Sequence, residues 1–434
     1  MLDILFWFLF GLPLIVLFIL RRFHNCNILQ ISIANVLVLF YLISNHFGLA
    51  SIFLHGYIRS GEIEVNYGIL ILLAVYNNIV VFVFVLTGII FSRYSSKTRI
   101  ISEKSDEKLN LVPIFLVLPI LLFFSIYKFM DASPLQMLLA GDVKGATIER
   151  ISQVSENRTS ILGIKHSYVM ILFEICSYII ILLLISYYVF KRSVLLILSI
   201  LFLIVLIIFN ISNVAKGIFL LVFYYFIFVH AQIRNNGNLF RKKFVIYLVP
   251  FFIGLVYMSY WTLGSLEADF LYPFERLMIG NLEPQYAIVN HYGFHNLLYG
   301  LSIPTFFTLG NHTQIDINFV AWQLLGLGEG LDGLTYTAPF SFVGEAHANF
   351  HILGVGLVSI IVFTVFRILD IFVLKIRSPL IRYSLLIYLS LHYSNMSITG
   401  AVSYLIDYYL WGVLVFIFII YPNTRIKGFS IFSN

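Results

Sequence analysis

The sequence alternates between long apolar stretches and shorter polar connections. About 20 mostly apolar residues in a helix cross the hydrocarbon core of a bilayer, and eleven stretches approach that length. These predicted spans lie at about 2–20, 28–50, 67–91, 111–129, 167–190, 193–211, 214–232, 244–263, 351–374, 380–399 and 403–421. The pattern predicts an all-α fold, a polytopic transmembrane helix bundle that forms one integral membrane domain over residues 1–434.

One connection is much longer than the others. No convincing span lies within residues 264–348, and a second sizeable connection covers residues 131–166. Residues 297–310 are short and interrupted by Gly and Pro, which predicts an interfacial or re-entrant segment. Residues 318–326 predict a short amphipathic helix resting on the membrane surface. This much polar chain favours a protein that handles a bulky polar substrate at the membrane surface.

Composition and charge narrow the class and set the orientation. The chain has 60% hydrophobic and 11% charged residues, and this composition excludes a soluble protein. The net charge of +6 does not indicate nucleic-acid binding, because most Lys and Arg residues lie in short gaps between spans. Of these basic residues, 18 fall on one side and 8 on the other, which places the N-terminus outside and the C-terminus in the cytoplasm. Both long connections are then extracytoplasmic.

The two cysteines carry no chemistry in this reading. Cys26 lies near a membrane face and Cys176 lies inside a span. Neither a disulfide nor a thiolate metal site is therefore predicted.

Four of the eight basic residues predicted on the outer side are expected to lie near one surface: Arg150, Arg158, Lys216 and Arg276. Arg presents a rigid fork of donors that matches phosphate oxygens, and Lys adds a compact charge. Such a group could hold a lipid pyrophosphate. The alternative is that these side chains reach lipid headgroups or pair with neighbouring carboxylates.

The densest group of proton-active side chains lies in residues 342–356, at the predicted outer mouth of the ninth span. Glu345 and Asn349 share one helical face, while His347 and His351 share another. A carboxylate or imidazole here could take a proton from a hydroxyl. Alternatively, Glu345 is a structural carboxylate favoured by the helix N-terminus. The paired histidines have no evident third metal ligand, so no metal site is predicted.

Polar side chains also occur in the outer halves of predicted spans, and they suggest a vestibule open to the outer leaflet. These residues are Glu174, Asp407, His392 and Asn395. A proton-coupled transporter would also place carboxylates in its spans. Arg367 and Asp370 are interpreted as a structural i, i+3 pair near the inner face.

Two segments carry a resemblance to a known family. FERLMIGNLEPQYAIVNHYGFHNLLYGLSIPTFF at 274–307 has an Arg followed by a Gly-aromatic stretch, and GEAHANFHILGVG lies at 344–356. Together with the architecture, they resemble the oligosaccharide repeat-unit polymerases of bacterial surface polysaccharides, the Wzy-type O-antigen polymerases. The chain departs from the family's pattern at His351, where Gly is expected, and at His347, where an aromatic residue is commoner.

The resemblance implies transfer of a growing glycan from undecaprenyl pyrophosphate to the terminal sugar of another lipid-linked repeat unit. It implies the outer face of the bacterial inner membrane as the location. Arg150, Arg158, Lys216 and Arg276 would hold the leaving pyrophosphate, and Glu345 or His347 would activate the acceptor hydroxyl. No metal or other cofactor is expected. The implied partners are the undecaprenyl-pyrophosphate-linked oligosaccharide, membrane lipid, a chain-length regulator and a flippase, with no nucleic acid.

Two alternatives stay open. An O-antigen ligase would use the same donor with a lipid A-core acceptor. A polysaccharide flippase or another transporter belongs to a different class. The long connection at 264–348 and the absence of a sequence repeat between the two halves of the chain favour the enzyme.

Overall fold

The computed structural model describes most of the chain, with gaps between the described segments. The described residues are 2–23, 28–56, 65–91, 111–130, 134–142, 145, 166–212, 217–239, 282–302, 315, 317–325, 340–376, 378–400 and 408–420. All regular elements within these segments are helical, which confirms the all-α prediction. The predicted eighth span at 244–263 lies outside the described residues.

The helices are numbered here in chain order. They are α1 Leu2–Phe23, α2 Ile33–Tyr41, α3 Phe47–His55, α4 Tyr67–Phe91, α5 Val112–Met130, α6 Pro134–Leu139, α7 His166–Phe190, α8 Ser193–Ser212, α9 Gly217–Arg234, α10 Leu282–His291, α11 Ile317–Leu324, α12 Phe342–Leu374, α13 Pro379–Ser394, α14 Met396–Thr399 and α15 Tyr408–Ile420. A π-helical segment, Leu42–His46, joins α2 to α3.

Several helices have the length and apolar composition of membrane spans. Within the described segments, six regions qualify: Leu2–Leu20, Ile33–Leu54, Tyr67–Phe91, Val169–Phe190, Ser193–Asn210 and Phe342–Leu374. Shorter apolar helices occupy Val112–Ile126 and Leu410–Ile420. Helices α9 and α13 also lie at predicted spans. These apolar helices therefore indicate a membrane protein, while the number of spans stays a prediction.

The chain divides into two compact units. The first consists of Met1–Ser96, Leu255–Asp370 and Ser390–Ile406, and the second consists of Lys97–Gly254, Ile371–Leu389 and Asp407–Asn434. Helices α12 and α13 each contribute residues to both units. The long connection at 264–348 and the cluster at 342–356 belong to the first unit.

The second predicted span is not one continuous helix from residue 28. Helix α2 begins at Ile33, where the Ser32 hydroxyl accepts a hydrogen bond from Asn35 N at 3.2 Å. The Asp370 carboxylate accepts a second bond, from Ile33 N at 2.8 Å. These acceptors satisfy amides that a helix N-terminus otherwise leaves unpaired. Arg367 donates to the Asn35 side chain at 3.2 Å, so the predicted structural pair fixes the start of α2.

The same span is interrupted again by the π-helical segment. Phe47 N donates to Leu42 O, five residues earlier, which replaces the usual spacing of four. Ser44, Asn45 and His46 are buried there. A buried polar segment in a membrane helix needs partners from elsewhere in the protein.

In the second unit, α7 packs against α8, α9 and α15, and α5 packs against α8. Phe173 of α7 stacks on Phe209 of α8 with ring centroids 3.5 Å apart. Cys176 is buried beside them, with Sγ 3.6 Å from Phe202 O. This close packing leaves Cys176 as a core residue, as its place inside a predicted span suggested. Cys26 lies outside the described residues.

Part of the long connection folds into a layer with its own apolar core. Helix α10 packs against α4 and α11. The core is formed by Ala287, Ile288, Tyr292, Leu298, Ile317, Ala321, Leu325, Phe340 and Ala348. The helix expected at 318–326 is present as α11, but Ile317 and Ala321 are buried in this core. Contact of the rest of α11 with the membrane surface stays a prediction.

Helix α12 consists of two straight parts that meet at a sharp corner. Phe350 has φ −143° and ψ 18°, and His351 has φ 55° and ψ −147°, so neither residue is helical. We call residues 342–349 the short arm and residues 352–374 the long arm. A side-chain carbon added to Gly354 would lie 2.2 Å from Ala346 O, although these residues would be about 12 Å apart along a straight helix. The long arm therefore begins at the predicted start of the ninth span.

Candidate functional site

The short arm of α12 carries the predicted proton-active residues, and its N-terminus is held by the folded layer that the long connection forms. Val343 N donates to the Ser341 hydroxyl at 3.3 Å, and that hydroxyl donates to the Gln285 side chain of α10. Gly344 lies directly against the Phe340 ring, where a side-chain carbon would come within 2.5 Å of it. The short arm is thus fixed in rotation and position by residues from the long connection.

Glu345 lies in the first turn of the short arm and is 9% exposed. Its carboxylate lies against Gly400, where an added side-chain carbon would be 3.1 Å from Oε2. Gly400 has φ 87°, a backbone conformation that glycine adopts without steric cost. The helix N-terminus favours the ionised carboxylate at this position. The arrangement suits a positioned base, and it also suits a structural carboxylate.

His347 is fully buried, and both of its ring nitrogens are engaged. Nε2 lies 2.6 Å from Tyr292 O, and Nδ1 lies 2.6 Å from the Tyr76 hydroxyl of α4. A carbonyl oxygen only accepts, so Nε2 carries the proton and Nδ1 accepts from Tyr76. This is the neutral imidazole. His347 could act as a base only after its bond to Tyr76 breaks, so the geometry favours a positioning role.

Asn349 joins the C-terminal end of the short arm to the turn at 298–302. Its amide nitrogen donates to the Ser302 hydroxyl at 2.6 Å and to Glu345 O at 2.9 Å. Its side-chain oxygen accepts from Gly300 N at 2.9 Å. The described part of the segment expected to be interfacial or re-entrant is therefore hydrogen-bonded to the helix that carries Glu345. Residues 303–314 lie outside the described segments.

The turn at 298–302 also satisfies the backbone at the corner of α12. Leu298 N donates to Ala348 O at 2.9 Å, and Tyr299 N donates to Asn349 O at 3.2 Å. These carbonyls have no intrahelical partner once the helix ends. The non-helical backbone of His351 then redirects the chain into the long arm. The His351 ring stacks on Phe294 with centroids 3.8 Å apart and makes a tilted contact with the His347 ring at 4.6 Å.

Two tyrosines in or next to α10 are held in their neutral form. Burial raises the pKa of the Tyr286 phenol, although the Asn66 amide that donates to its oxygen acts in the opposite direction. Burial also raises the pKa of the Tyr292 phenol. Neither phenol loses its proton near neutral pH, so neither supplies an anionic base beside Glu345.

Sequence reasoning missed a second polar cluster, which surrounds the π-helical segment. Tyr41 donates to the Asn77 side chain at 2.6 Å, and the Asn77 amide lies 3.4 Å from His46 Nδ1. Asn45 donates to Ser397 O at 2.9 Å, which ties the segment to α14 just before Gly400. The available signal was the presence of Asn45, His46 and Asn77 in otherwise apolar runs.

The described part of the predicted vestibule is divided between the two units. Glu174 lies in the second unit, where its carboxylate accepts a bond from the Tyr388 hydroxyl at 2.8 Å. Asn395 and His392 lie in the first unit, at the turn between α13 and α14, where Asn395 N donates to His392 O at 3.3 Å. Asp407 lies outside the described residues. A shared vestibule stays a prediction.

The predicted pyrophosphate-binding residues Arg150, Arg158, Lys216 and Arg276 all lie outside the described segments. Within those segments, no three His, Cys, Asp or Glu side chains converge as metal ligands. The site that the structure describes therefore consists of a positioned carboxylate, a neutral histidine and the asparagine that joins them to the turn at 298–302.

Known proteins do not supply a family for this site. No protein-family model matches the chain, and comparison with curated proteins and with solved structures gives no significant match.

Proposed function

We propose that this protein is a polymerase that joins undecaprenyl-pyrophosphate-linked oligosaccharide repeat units of a bacterial surface polysaccharide, of the O-antigen type. The bond between the donor's anomeric carbon and the pyrophosphate oxygen breaks, and its electron pair leaves with undecaprenyl pyrophosphate. A hydroxyl oxygen on the acceptor sugar forms the new bond to that carbon. The hydroxyl proton passes to a base. No metal or nucleotide takes part in this reaction.

The observation that carries the proposal is the placement of Glu345. Its carboxylate is nearly buried beside Gly400, on a helix that ends at the start of a long apolar arm. A helix N-terminus favours an anionic side chain in its first turn, and a carboxylate can accept a proton from a hydroxyl. In the proposed reaction Glu345 is the base. A folded outer layer around it also suits an enzyme that must position a large polar acceptor.

His347 and Asn349 take supporting roles in the proposal. His347 fixes the short arm to α4 and to Tyr292, and Asn349 fixes it to the turn at 298–302. Orientation of a base toward a bound hydroxyl makes a large contribution to rate, because it removes the entropy cost of bringing the groups together. Substitution of either residue should therefore slow the reaction through misplacement of Glu345.

The leaving pyrophosphate needs cations. Arg276, with Arg158, Arg150 and Lys216, is proposed to neutralise the charge that develops on its oxygens. The support for this role is the predicted topology, which places these basic residues on the same outer face as Glu345. A flippase and a chain-length regulator are the proposed protein partners, since they would supply substrate and limit polymer growth.

This function requires the long connection to be extracytoplasmic, with the N-terminus outside and the C-terminus in the cytoplasm of an inner-membrane protein. An impermeant thiol reagent should label Ser265→Cys in intact spheroplasts but leave Ser105→Cys unlabelled. The support for this orientation is the excess of basic residues in the gaps assigned to the cytoplasm. Labelling of Ser105→Cys alone would reverse the orientation and place Glu345 on the wrong face.

The proposal is tested by surface glycan length in a deletion strain. Loss of the protein should leave surface lipid decorated with single repeats, and wild-type protein should restore long chains. Glu345→Gln should leave single repeats at normal membrane abundance, whereas the control Glu283→Gln should restore long chains. Complete loss of decoration in the deletion strain would contradict polymerisation and indicate ligation or export.

A further inference from the structure

Exposed aromatic and apolar side chains gather at the corner of α12. Tyr299 is 71% exposed, and Phe294 is 66% exposed. Phe294 stacks on His351 at 3.8 Å, and Tyr299 N bonds to Asn349 O at 3.2 Å, so both residues adjoin the corner. Phe350, at the corner itself, is 40% exposed. Three exposed rings on one short stretch of a folded surface need an apolar or amphipathic surrounding.

The long arm of α12 indicates which medium surrounds these rings. Leu353 and Leu357 are 74% and 60% exposed, and Ile360 and Ile361 continue the same stripe along the helix. This stripe belongs to a helix long and apolar enough to cross a membrane. Exposed apolar side chains on such a helix form the surface that hydrocarbon would cover in a bilayer. Leu353 lies only two positions beyond His351, so the exposed rings continue the lipid-facing stripe beyond the end of the spanning helix.

We infer that Phe294, Tyr299 and Phe350 form an interfacial seat, a surface by which the outer turn at 292–302 rests in the headgroup region of the outer leaflet. The amphipathic ring of Tyr299 is of the kind that concentrates at this depth, and the rings of Phe294 and Phe350 add apolar surface that the hydrocarbon boundary can cover. The polar neighbours fit the same placement. His295 and Asn296 are exposed between the rings, and Asn296 binds Gly293 N and His291 O, which closes the turn on its polar side.

The seat has a consequence for Glu345. The corner that carries the rings ends the short arm, and the bonds from Leu298 and Tyr299 hold the turn on that arm. The interfacial seat therefore fixes Glu345 near headgroup depth, where the pyrophosphate of a lipid-linked glycan would lie. This consequence rests on the proposed function, whereas the seat itself does not.

The test is electron paramagnetic resonance of a nitroxide attached at single cysteines in nanodiscs that hold one protein copy each. The background carries Cys26→Ser and Cys176→Ala. Labels are placed at Tyr299→Cys in the seat, at Leu353→Cys as the lipid-facing reference and at His295→Cys as the polar control in the same turn. Oxygen, which concentrates in hydrocarbon, and a water-soluble nickel chelate report which medium each label meets. Size-exclusion profiles check that each variant is folded.

If the seat lies in the headgroup region, oxygen should relax the spin labels at 299 and 353 more strongly than the nickel chelate does. At 295 the nickel chelate should have the stronger effect. Relaxation at 299 dominated by nickel would place the turn in water and overturn the inference. A label at 299 shielded from both reagents would show that protein covers the surface, which also overturns it. Because these readouts need no turnover, inactivity in a polymerase assay would leave them unaffected.

Discussion

Replacement of Gly354 by alanine tests the corner of α12 directly. The added carbon would lie 2.2 Å from Ala346 O and 3.1 Å from Ala346 C, both backbone atoms that cannot rotate away. Ordinary contacts begin at 3.4 Å, so the two arms must separate by about 1 Å. Overpacking of this kind typically costs about 1–3 kcal/mol. The separation would also strain the bonds from Leu298 N and Tyr299 N to the end of the short arm.

Gly356→Ala is the matched control, because no atom lies within 4 Å of its added carbon. Both substitutions gain the same intrinsic helix preference, about 1 kcal/mol, so this gain cancels when the two variants are compared. Thermal unfolding of the purified proteins in detergent should then show Gly354→Ala less stable than Gly356→Ala by about 1–3 kcal/mol. Equal midpoints, or a more stable Gly354→Ala, would refute the close crossing of the two arms.

Three further substitutions address the site. Tyr76→Phe removes the donor to His347 Nδ1, and the buried acceptor left without a partner should lower stability by about 1–3 kcal/mol in the same unfolding assay. An unchanged midpoint would contradict that bond. Gly400→Ala forces a positive φ on alanine and presses on the Glu345 carboxylate, so polymer yield should fall at normal abundance. Arg276→Lys keeps the charge but loses the bidentate fork and should stay impaired. Full polymerisation by that variant would remove the arginine from the pyrophosphate site.

The sequence predicted well those helices whose limits depend on local composition. The span expected at 67–91 is helix α4 with the same limits, because a long apolar run ends there in polar residues at both sides. The spans expected at 167–190 and 193–211 differ from α7 and α8 by one residue. In each case apolarity alone decides where the helix lies.

The interruption of the second span was not predictable from local composition. Helix α2 begins at Ile33 because Asp370, which is 337 residues away, accepts a bond from its first amide. The π-helical segment is paired with Asn77 and with Ser397 O, neither of which is near in sequence. Such breaks depend on tertiary partners, and a sequence pattern records only that polar residues occur inside an apolar run.

The candidate site was predicted in part. The short arm was recognised as a dense group of proton-active residues, but the partners of His347 come from α4 and from Tyr292. Those bonds engage both ring nitrogens of His347. The sequence alone does not reveal this difference from Glu345. The corner at His351 was also not predictable from the sequence, because a positive φ at a residue other than glycine is maintained by surrounding contacts. Glycine would adopt this φ without steric cost.

The most direct test of the account is polymerisation by purified protein in proteoliposomes supplied with undecaprenyl-pyrophosphate-linked repeat units. Wild-type protein should produce chains longer than one repeat. Glu345→Gln should still bind the lipid-linked donor, but its turnover should fall by about 10²–10⁴, the usual contribution of a general base. Near-normal turnover by Glu345→Gln would assign the carboxylate a structural role at the helix N-terminus, worth about 1 kcal/mol or less, and would contradict the proposed mechanism.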